Sequence, residues 1–547
     1  MKKVLLLLLA STISLFAISQ NVQDAQKFIY YERYKSAENT LHTVLKTDPS
    51  NAAAWYWLSQ AYLPLNRTAA LRDTLLTSSN EVKQNPWYQV AYGHLLLAEN
   101  KKDSAAVYFN EALDKTKEKD PDILLAIANA HITAKAGDAN YAISLLDKAI
   151  KRDKKNPALY VAVGDAYRKL GNGSEAYKSY QAAIDQDKNY AAALYRMGKI
   201  FVSQKNTDMY LNYFNQALQA DNNFAPALFE LYYHYYFVDA QKAMDYFQQY
   251  MAKSDESKTN DYLYTDLLYL NKQYQPAIEK AQKLLAEPQG DTLPRLYKLL
   301  AYSYAGVKDT SKAVNYMSQY FAKEVDSNFV PKDFETMATF YDAIPGKEDS
   351  AIVYYLKTVD YSKDPKTLYS YYKKLSDLYK SRKDYANQAK WMGKYYLNNE
   401  KATNIDLFNW GIATIKAEDY VQADTVFGLY IQKYPEQAFG YYWRARANAA
   451  LDSTMEKGLA IPWYTRLINI IEKDSANAGN KTNKKWLIEG YGYLAAYETN
   501  VAKDYKTAIE HLQKILQLDP GNKDAQQYLT VLEKKVASGR DTGSTNK

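Results

Sequence analysis

The chain has 547 residues, including 54 tyrosines and no cysteine, and its formal net charge is +7. The missing cysteine excludes disulfides, thiolate nucleophiles and cysteine-based zinc sites. A charge of +7 on so long a chain is not typical of a nucleic-acid-binding protein.

The first predicted element is a secretory signal peptide over residues 1–19. Lys2-Lys3 is followed by an apolar run over residues 4–9, and Ala17-Ile18-Ser19 provides the small residues that a signal peptidase requires. The run is too short to span a bilayer. Cleavage before Gln20 leaves no cysteine for lipid attachment, and no later stretch is apolar enough to cross a membrane. We therefore expect an exported, soluble protein in the periplasm or on the surface of a Gram-negative bacterium.

Residues 20–450 repeat one helical unit. A mid-helix anchor residue, small in most units, sets the register: Gly164 and Gly198 are 198 − 164 = 34 residues apart, and Tyr232 follows after another 34. Such a period is typical of a repeat array. The same register gives fourteen candidate units, anchored at Ala25, Ser59, Gly93, Ala128, Gly164, Gly198, Tyr232, Thr265, Ala301, Ala338, Ser376, Gly411, Ala445 and Ala495.

Each unit is predicted to be a pair of helices. An aromatic residue lies one turn after the anchor on the same helix face. A turn rich in Gly, Asn, Asp and Lys follows, and then a second helix with an alanine and a bulky residue four positions later, such as Ala176 and Tyr180. The small residues allow the helices to approach closely, and the aromatic residues are expected to fill the wedge between one pair and the next. These aromatic residues are Phe28, Tyr62, Tyr167, Phe201, Tyr235, Tyr304, Tyr341 and Tyr379.

This pattern resembles the tetratricopeptide repeat (TPR). The residues that carry the resemblance are Trp55, Leu58, Ser59 and Tyr62, then Val163, Gly164, Tyr167, Ala176, Tyr180 and Ala183. The resemblance implies an all-α fold, a right-handed α-solenoid superhelix of about fourteen TPR-like helix-turn-helix pairs. It departs from the family where Tyr232, Thr265 and Ser376 replace the first-helix glycine.

The spacing breaks before the last unit, where the step is 495 − 445 = 50 residues. We interpret residues 451–485 as an insertion with a helix and a polar loop. Residues 486–536 then form a terminal TPR-like unit and a capping helix, and residues 537–547 are expected to be a disordered tail.

No catalytic constellation is recognisable. The five histidines are scattered without ligand-like spacing, and the sequence contains no nucleophile elbow or phosphate-binding loop. The protein is therefore predicted not to be an enzyme and to need no cofactor or metal. An enzyme with its site in residues 451–485 is the more remote alternative.

In arrays of the family that this chain resembles, first helices line a concave groove. Residues three before, one after and four after the anchor face into it. Aromatic side chains beside Lys and Arg suit a peptide or an extended polymer; packing within a tightly wound superhelix is the alternative for several of them. The candidate groove-binding residues are Tyr56, Gln60, Tyr195, Lys199, Phe229, Tyr233, Tyr236, Lys298, Tyr302, Lys373, Asp377, Lys380, Tyr442 and Arg446.

The sequence thus predicts a non-enzymatic, exported scaffold that mediates protein–protein interactions in the bacterial cell envelope. Its expected partner is a protein or peptide, with no nucleic acid and no transmembrane segment. The alternative is capture of a glycan or peptide at the outer membrane through an aromatic-lined concave groove, because Tyr and Trp stack on sugars. The missing cysteine argues against an orthodox nutrient-binding lipoprotein.

Overall fold

The computed structural model describes residues 22–287, 293–473 and 480–538. It contains two compact units, unit 1 up to Val307 and unit 2 from Lys308. The described residues form helices, turns and loops without a strand, which confirms the predicted all-α class. The predicted signal peptide lies outside the described residues, as do residues 539–547 of the predicted tail.

Unit 1 alternates first and second helices along the chain. Its helices are α1 (residues 22–30), α2 (Tyr34–Thr47), α3 (Ala52–Tyr62), α4 (Thr68–Leu76), α5 (Asn80–Lys83), α6 (Pro86–Ala98), α7 (Lys102–Thr116), α8 (Pro121–Thr133), α9 (Ala139–Arg152), α10 (Pro157–Lys169), α11 (Gly173–Gln186), α12 (Ala191–Ser203), α13 (Thr207–Ala220), α14 (Ala225–Tyr236), α15 (Ala240–Lys253), α16 (Lys258–Leu270), α17 (Tyr274–Ala286) and α18 (Pro294–Gly306). A short 3₁₀ helix, Leu63–Leu65, extends α3.

Unit 2 continues the alternation. Its helices are α19 (Thr310–Lys323), α20 (Pro331–Asp342), α21 (Glu348–Tyr361), α22 (Pro365–Ser381), α23 (Tyr385–Asn398), α24 (Asn404–Lys416), α25 (Tyr420–Lys433), α26 (Ala438–Leu451), α27 (Ile461–Lys473), α28 (Lys481–Tyr497), α29 (Tyr505–Leu518) and α30 (Lys523–Ala537), with a 3₁₀ turn at Asp326–Asn328 and a π-helical turn at Glu498–Ala502. Each of the fourteen predicted anchors lies in a first helix, from Ala25 in α1 to Ala495 in α28.

Close helix packing explains the glycine anchors. At Gly198 an added Cβ would lie 2.6 Å from Cε1 of Phe214, the bulky residue on the second helix of the same pair. Gly93 faces Phe109 in the same way, also at 2.6 Å. Phe214 is fully buried, so its ring has little room to move aside. The anchor is therefore small because an aromatic ring from α13 occupies the space of its side chain.

The aromatic residue one turn after the anchor packs mainly inside its own pair. Phe201 of α12 stacks on Tyr213 of α13 with ring centroids 5.6 Å apart and planes 6° apart. Tyr235 of α14 stacks in the same way on Tyr246 of α15, at 5.5 Å. Phe201 also meets Tyr177 of the preceding pair edge-on at 6.0 Å. Aromatic rings thus fill the predicted wedge between helix pairs, but the parallel ring stacks join the two helices of one pair.

Two anchors that replace glycine with a polar residue form hydrogen bonds that satisfy their buried hydroxyls. Thr265 and Ser376 are both buried. The Thr265 hydroxyl donates to the carbonyl of Asp261 at 2.7 Å, and the Ser376 hydroxyl donates to the carbonyl of Gln388 at 3.2 Å. Their polar atoms are therefore satisfied at the helix contact.

Six of the described turns between first and second helices follow one chemical pattern. A residue with positive φ is followed by an Asn or Asp that caps the second helix, as in Gly171 (φ 76°) before Asn172 and Lys383 (φ 60°) before Asp384. Asn172 and Asp384 each accept from a backbone N–H three residues on, at 3.1 Å. This satisfies an amide that the helix itself leaves unpaired.

The segment interpreted as an insertion, residues 451–485, contains α27. This helix contributes Tyr464, Leu467 and Ile468 to one buried cluster with Tyr441 of α26 and Trp486 of α28. It therefore occupies the place of a second helix after α26. The long step in the spacing reflects the nine-residue connection 452–460 and the 17-residue length of α28.

Candidate functional site

The inward positions of three first helices in unit 1 line one cavity of about 720 Å³. These positions are the predicted offsets from the anchor: Tyr56 and Gln60 on α3, Leu125, Asn129 and Ile132 on α8, and Val161 and Asp165 on α10. The opposite side is formed by α1 and the turn after it, with Gln23, Lys27, Tyr30, Glu32 and Tyr34. We call this space the groove cavity.

The first hairpin, α1–α2, is held against residues that come about 160 to 220 positions later. The Tyr31 hydroxyl donates to Asp221 at 2.8 Å, and the Tyr30 hydroxyl accepts from the backbone N–H of Ala192 at 3.2 Å. The Tyr30 ring also meets Phe224 at 5.2 Å. These contacts place α1 across the inner face of α12 and the start of α14.

Asp255 caps α2 from the loop between α15 and α16. Its carboxylate accepts from the backbone N–H of Lys35 at 2.7 Å and of Ser36 at 3.1 Å. It also lies 3.4 Å from the guanidinium of Arg33. Arg33 occupies the position where most other second helices have Asn or Asp, and it provides no side-chain cap. The missing local cap is thus supplied by a residue 220 positions away.

Three carboxylates and two cations surround the end of the groove cavity. Arg196 binds both oxygens of Asp165, at 2.8 and 2.7 Å, and Lys199 binds Glu230 at 2.5 Å. Glu32, in the turn after α1, has φ 59°, and its side-chain carboxylate makes no hydrogen bond or ion pair with the described residues. Both cations are thus paired with other carboxylates, which leaves the Glu32 side chain without an ion-pair partner among the described residues.

Glu32 is reached by solvent within the cavity but is partly desolvated. Its side chain is exposed, yet the surrounding protein replaces much of the bulk water, and this desolvation raises the pKa of Glu32 above its usual value. The positive charges of Arg196 and Lys199 oppose the rise, whereas Glu230 adds to it.

Aromatic side chains enclose a second space beside Glu32. This cavity of about 480 Å³ shares Glu32 and Tyr34 with the groove cavity and is also lined by Tyr195, Phe229 and Tyr250. The rings of Phe229 and Tyr250 are 5.1 Å apart. We call this space the Glu32 cavity.

A buried histidine fixes the floor of the groove. His94 of α6 lies 3.3 Å from the amide nitrogen of Gln60 and 3.0 Å from the hydroxyl of Thr133, joining α3, α6 and α8. The Thr133 hydroxyl donates to the carbonyl of Asn129 at 2.7 Å, so the ring Nε2–H donates to Thr133 and Nδ1 accepts from Gln60. Burial lowers the pKa of His94 to about 3, and the imidazole is neutral and structural.

The predicted groove residues of unit 1 divide into two groups. Tyr56 and Gln60 line the groove cavity, and Tyr195 and Phe229 line the Glu32 cavity. Lys199 lies beside them and pairs with Glu230. The remaining residues lie elsewhere on unit 1: Tyr233, 58% exposed and edge-on to Phe237 at 5.6 Å, Tyr236 against Tyr232 at 6.0 Å, and Lys298 over the ring of Tyr302 at 6.0 Å.

In unit 2, two of the predicted groove residues, Tyr442 and Arg446, are engaged by other side chains of the same unit. Tyr442 is 4% exposed, stacks on Trp486 at 4.6 Å and donates to Glu489 at 3.0 Å. Arg446 pairs with the same carboxylate at 3.5 Å. Lys373 reaches Asp406 at 3.3 Å, while Asp377 and Lys380 are exposed. The structure therefore brings four of the predicted residues, Tyr56, Gln60, Tyr195 and Phe229, to two adjoining cavities in unit 1.

Sequence reasoning missed several lining residues. Asn129 and Asp165 follow from the same offset rule, one residue after the anchors Ala128 and Gly164, and could have been found. Glu32 and Tyr34 could not, because only long-range contacts bring the first hairpin to the groove. Arg33 is only a weak local signal, because Arg67, Lys101, Gln273 and Lys347 also replace the capping Asn or Asp of a second helix.

Models of the tetratricopeptide repeat match three stretches of the chain, all in unit 1. A TPR repeat model covers residues 164–205, and tetratricopeptide repeat models cover residues 25–70 and 191–224. These stretches contain the anchors Ala25, Ser59, Gly164 and Gly198 and the contact between Gly198 and Phe214. The chain is a tetratricopeptide-repeat protein. Proteins of this family are typically non-catalytic scaffolds that bind protein partners, and the TPR helices here are consistent with that class.

Solved TPR structures are also similar to this chain. The C-terminal part of a TPR repeat-containing protein from Cytophaga hutchinsonii is 29% identical, covering 49% of this chain and 99% of that chain, with a TM-score of 0.29. A tetratricopeptide repeat protein from Parabacteroides merdae is 16% identical (46% and 96% covered, TM-score 0.29), and pilF of Pseudomonas aeruginosa is 19% identical (36% and 89%, TM-score 0.30).

A comparison with the curated proteins finds no match to this TPR sequence. Among the helices of the described residues, none combines the length and the apolar character needed to span a bilayer. Within residues 22–287, 293–473 and 480–538, no three metal-ligating side chains come together.

Proposed function

We propose that this TPR protein is an exported scaffold that binds an extended segment of a protein partner in the groove cavity of unit 1. The observation that carries the proposal is the arrangement of that cavity. Inward residues of α3, α8 and α10 form one wall, and the first hairpin forms the other. A lined cavity of about 720 Å³ has the size at which proteins hold ligands.

The chemistry of the lining suits a peptide. Gln60 and Asn129 offer donors and acceptors to a peptide backbone, while the partly buried Leu125 and Ile132 offer apolar area. The tyrosine and tryptophan rings add contact area at a low cost in side-chain entropy. A partner segment with mixed polar and apolar side chains matches this surface.

The proposed location is the periplasm or the surface of a Gram-negative bacterium, within its cell envelope. Residues 1–19 support this proposal by their basic start, apolar run and small residues before Gln20. Fractionation of the native host, followed by N-terminal sequencing of the recovered protein, tests it. We expect the mature chain to begin at Gln20 in the envelope fraction; a chain that retains Met1 in the cytoplasm would contradict it.

Blocking the groove tests the binding site itself. Asn129→Trp places a large ring in the groove cavity, while Asp147→Trp adds the same ring at an exposed position on α9, the second helix of the same pair. Proteins that co-purify with the wild type from the envelope fraction should be lost with Asn129→Trp and retained with Asp147→Trp. Equal recovery by both variants would place the partner elsewhere.

A glycan is the second candidate ligand. Trp57 lines the groove cavity, is only partly buried and meets the Tyr56 ring at 5.1 Å. Exposed indole rings stack on sugars, so this corner of the cavity favours an outer-membrane capture role. Glycan-array binding that Trp57→Ala abolishes, together with no protein recovered from the envelope, would support this candidate over the scaffold.

A further inference from the structure

The Glu32 carboxylate lies where the two cavities meet, and it has no hydrogen-bond or ion-pair partner among the described residues. Its neighbours are already paired: Arg196 with Asp165, Lys199 with Glu230. Both cations therefore form ion pairs with carboxylates other than that of Glu32. A desolvated charge without a counterion is costly for a folded protein, and a bound cation would relieve that cost.

Three tyrosines from three elements surround this carboxylate. Tyr34 of α2, Tyr195 of α12 and Tyr250 of α15 line the Glu32 cavity. The negative charge of Glu32 contributes to the raised pKa of each of their hydroxyls, which places all three phenols within electrostatic range of it. Aromatic rings around a carboxylate form an environment that attracts an ammonium or guanidinium group.

We propose that the Glu32 cavity binds a basic side chain, Lys or Arg, of the protein partner, with Glu32 as its counterion and Tyr34, Tyr195 and Tyr250 as its walls. This inference rests on the proposed function, because the partner segment that occupies the groove cavity delivers the side chain. The two cavities share Glu32 and Tyr34, so one segment can occupy both.

Charge decides against other occupants. The lining of the Glu32 cavity carries three carboxylates, Glu32, Asp255 and Glu256, against one cation, Lys35. An acidic side chain would therefore be repelled, and a neutral one would leave Glu32 uncompensated. The stem of a Lys or Arg side chain is apolar and packs on aromatic rings, while its charged head reaches a polar group. Phe229 and Tyr250 provide such a ring surface below Glu32.

Selection of peptides on the purified protein tests the assignment. A phage-displayed library of random dodecapeptides is selected on the wild type, and the best binder is synthesised with a fluorescent label. We expect Lys or Arg at one fixed position. Replacement of that residue by norleucine, and Glu32→Gln in the protein, should each weaken binding about tenfold. The two changes together should weaken it little more than either alone, because both remove the same contact.

The matched control is Glu418→Gln in unit 2. Glu418 has the same φ of 59° and the same place in its turn, after the first helix of a pair, and it is exposed. This substitution should leave peptide affinity unchanged. Glutamine has the size of glutamate, so Glu32→Gln removes the charge without changing the volume. Circular dichroism verifies that the Glu32→Gln protein is folded. Loss of peptide binding when Asn129→Trp is added verifies that this protein binds at the same site.

The outcomes separate the two proposals. Peptides that bind in the groove without a basic residue, or that bind Glu32→Gln as tightly as the wild type, would overturn the basic-side-chain assignment and leave the scaffold function standing. If Asn129→Trp does not affect any selected peptide, or no peptide is selected, the groove is not a peptide site and both proposals fail.

Discussion

The contact between Gly198 and Phe214 gives a quantitative test of how the repeats pack. In Gly198→Ala the new Cβ would lie 2.6, 2.8 and 3.3 Å from three ring atoms of Phe214. Contacts below about 3 Å do not persist between carbon atoms, so α12 and α13 must separate. Phe214 is fully buried, and its ring cannot turn aside into solvent.

The magnitude follows from a comparison with Gly492. Gly492 lies inside α28, and an added Cβ there meets nothing within 4 Å. Both substitutions gain the helix propensity of alanine, about 1 kcal/mol, but only Gly198→Ala overpacks the core, at a cost of roughly 1–3 kcal/mol. We expect Gly492→Ala to stabilise its helix by ~0.5–1 kcal/mol, and the difference between the two variants to be about 1–3 kcal/mol.

Hydrogen exchange with mass spectrometry is the suitable assay, because it measures local opening in each helix of a repeat array. Protection of Ala191–Ser203 and Thr207–Ala220 should fall in Gly198→Ala. In the Gly198→Ala protein, Phe214→Leu should restore part of this protection, because the smaller side chain makes room for the new Cβ. In the wild type, the same substitution should be destabilising. Equal effects of alanine at Gly198 and Gly492 would refute the packing argument.

Three further predictions concern particular side chains. Because burial lowers the pKa of His94 to about 3, the unfolded chain binds a proton that the folded chain does not as the pH falls below about 6.5. The contribution of His94 to the stability of unit 1 should be complete above that pH and fall by about 1.4 kcal/mol per pH unit towards pH 3. Urea titrations of H94Q should show a smaller dependence on pH, and His131, whose pKa burial lowers to about 4, should supply part of the dependence that remains. Asp255→Ala should remove the long-range cap of α2 at a cost of about 1 kcal/mol, and faster hydrogen exchange in residues 34–47, with α19 unchanged, would show it. Glu489→Ala in unit 2 should destabilise the contacts of α28 with α26 and α27 by about 1–3 kcal/mol, because the hydroxyl protons of Tyr442 and Tyr464 lose their acceptor. A lower midpoint of urea unfolding, followed by tryptophan fluorescence, would report it.

The sequence predicts the helix pairs well because each pair is defined by residues that lie close together in the chain. Anchor, aromatic residue and turn recur within about 34 residues, and the glycine at position 198 and the ring at position 214 are only 16 residues apart. Helix identity and pairing therefore follow from spacing, with no long-range information.

The candidate site was predicted only in part for the opposite reason. Tyr56, Gln60, Tyr195 and Phe229 follow from a groove offset that repeats along the chain. The wall formed by the first hairpin depends on contacts such as that between Ser36 and Asp255, which are 219 residues apart and have no periodic pattern. Tyr442, by contrast, obeys the offset rule but is buried against Trp486, because the α26–α28 region departs from the regular spacing.

Site-specific photo-crosslinking tests the central claim, partner binding in the groove cavity, most directly. A photoreactive phenylalanine analogue at position 129 faces that cavity, and the same analogue at position 147 faces solvent from α9. In intact cells of the native host, we expect a discrete protein crosslink from position 129 that Glu32→Gln weakens and Glu418→Gln does not, and none from position 147. A crosslink from position 147 alone would contradict the claim that the groove cavity holds the partner.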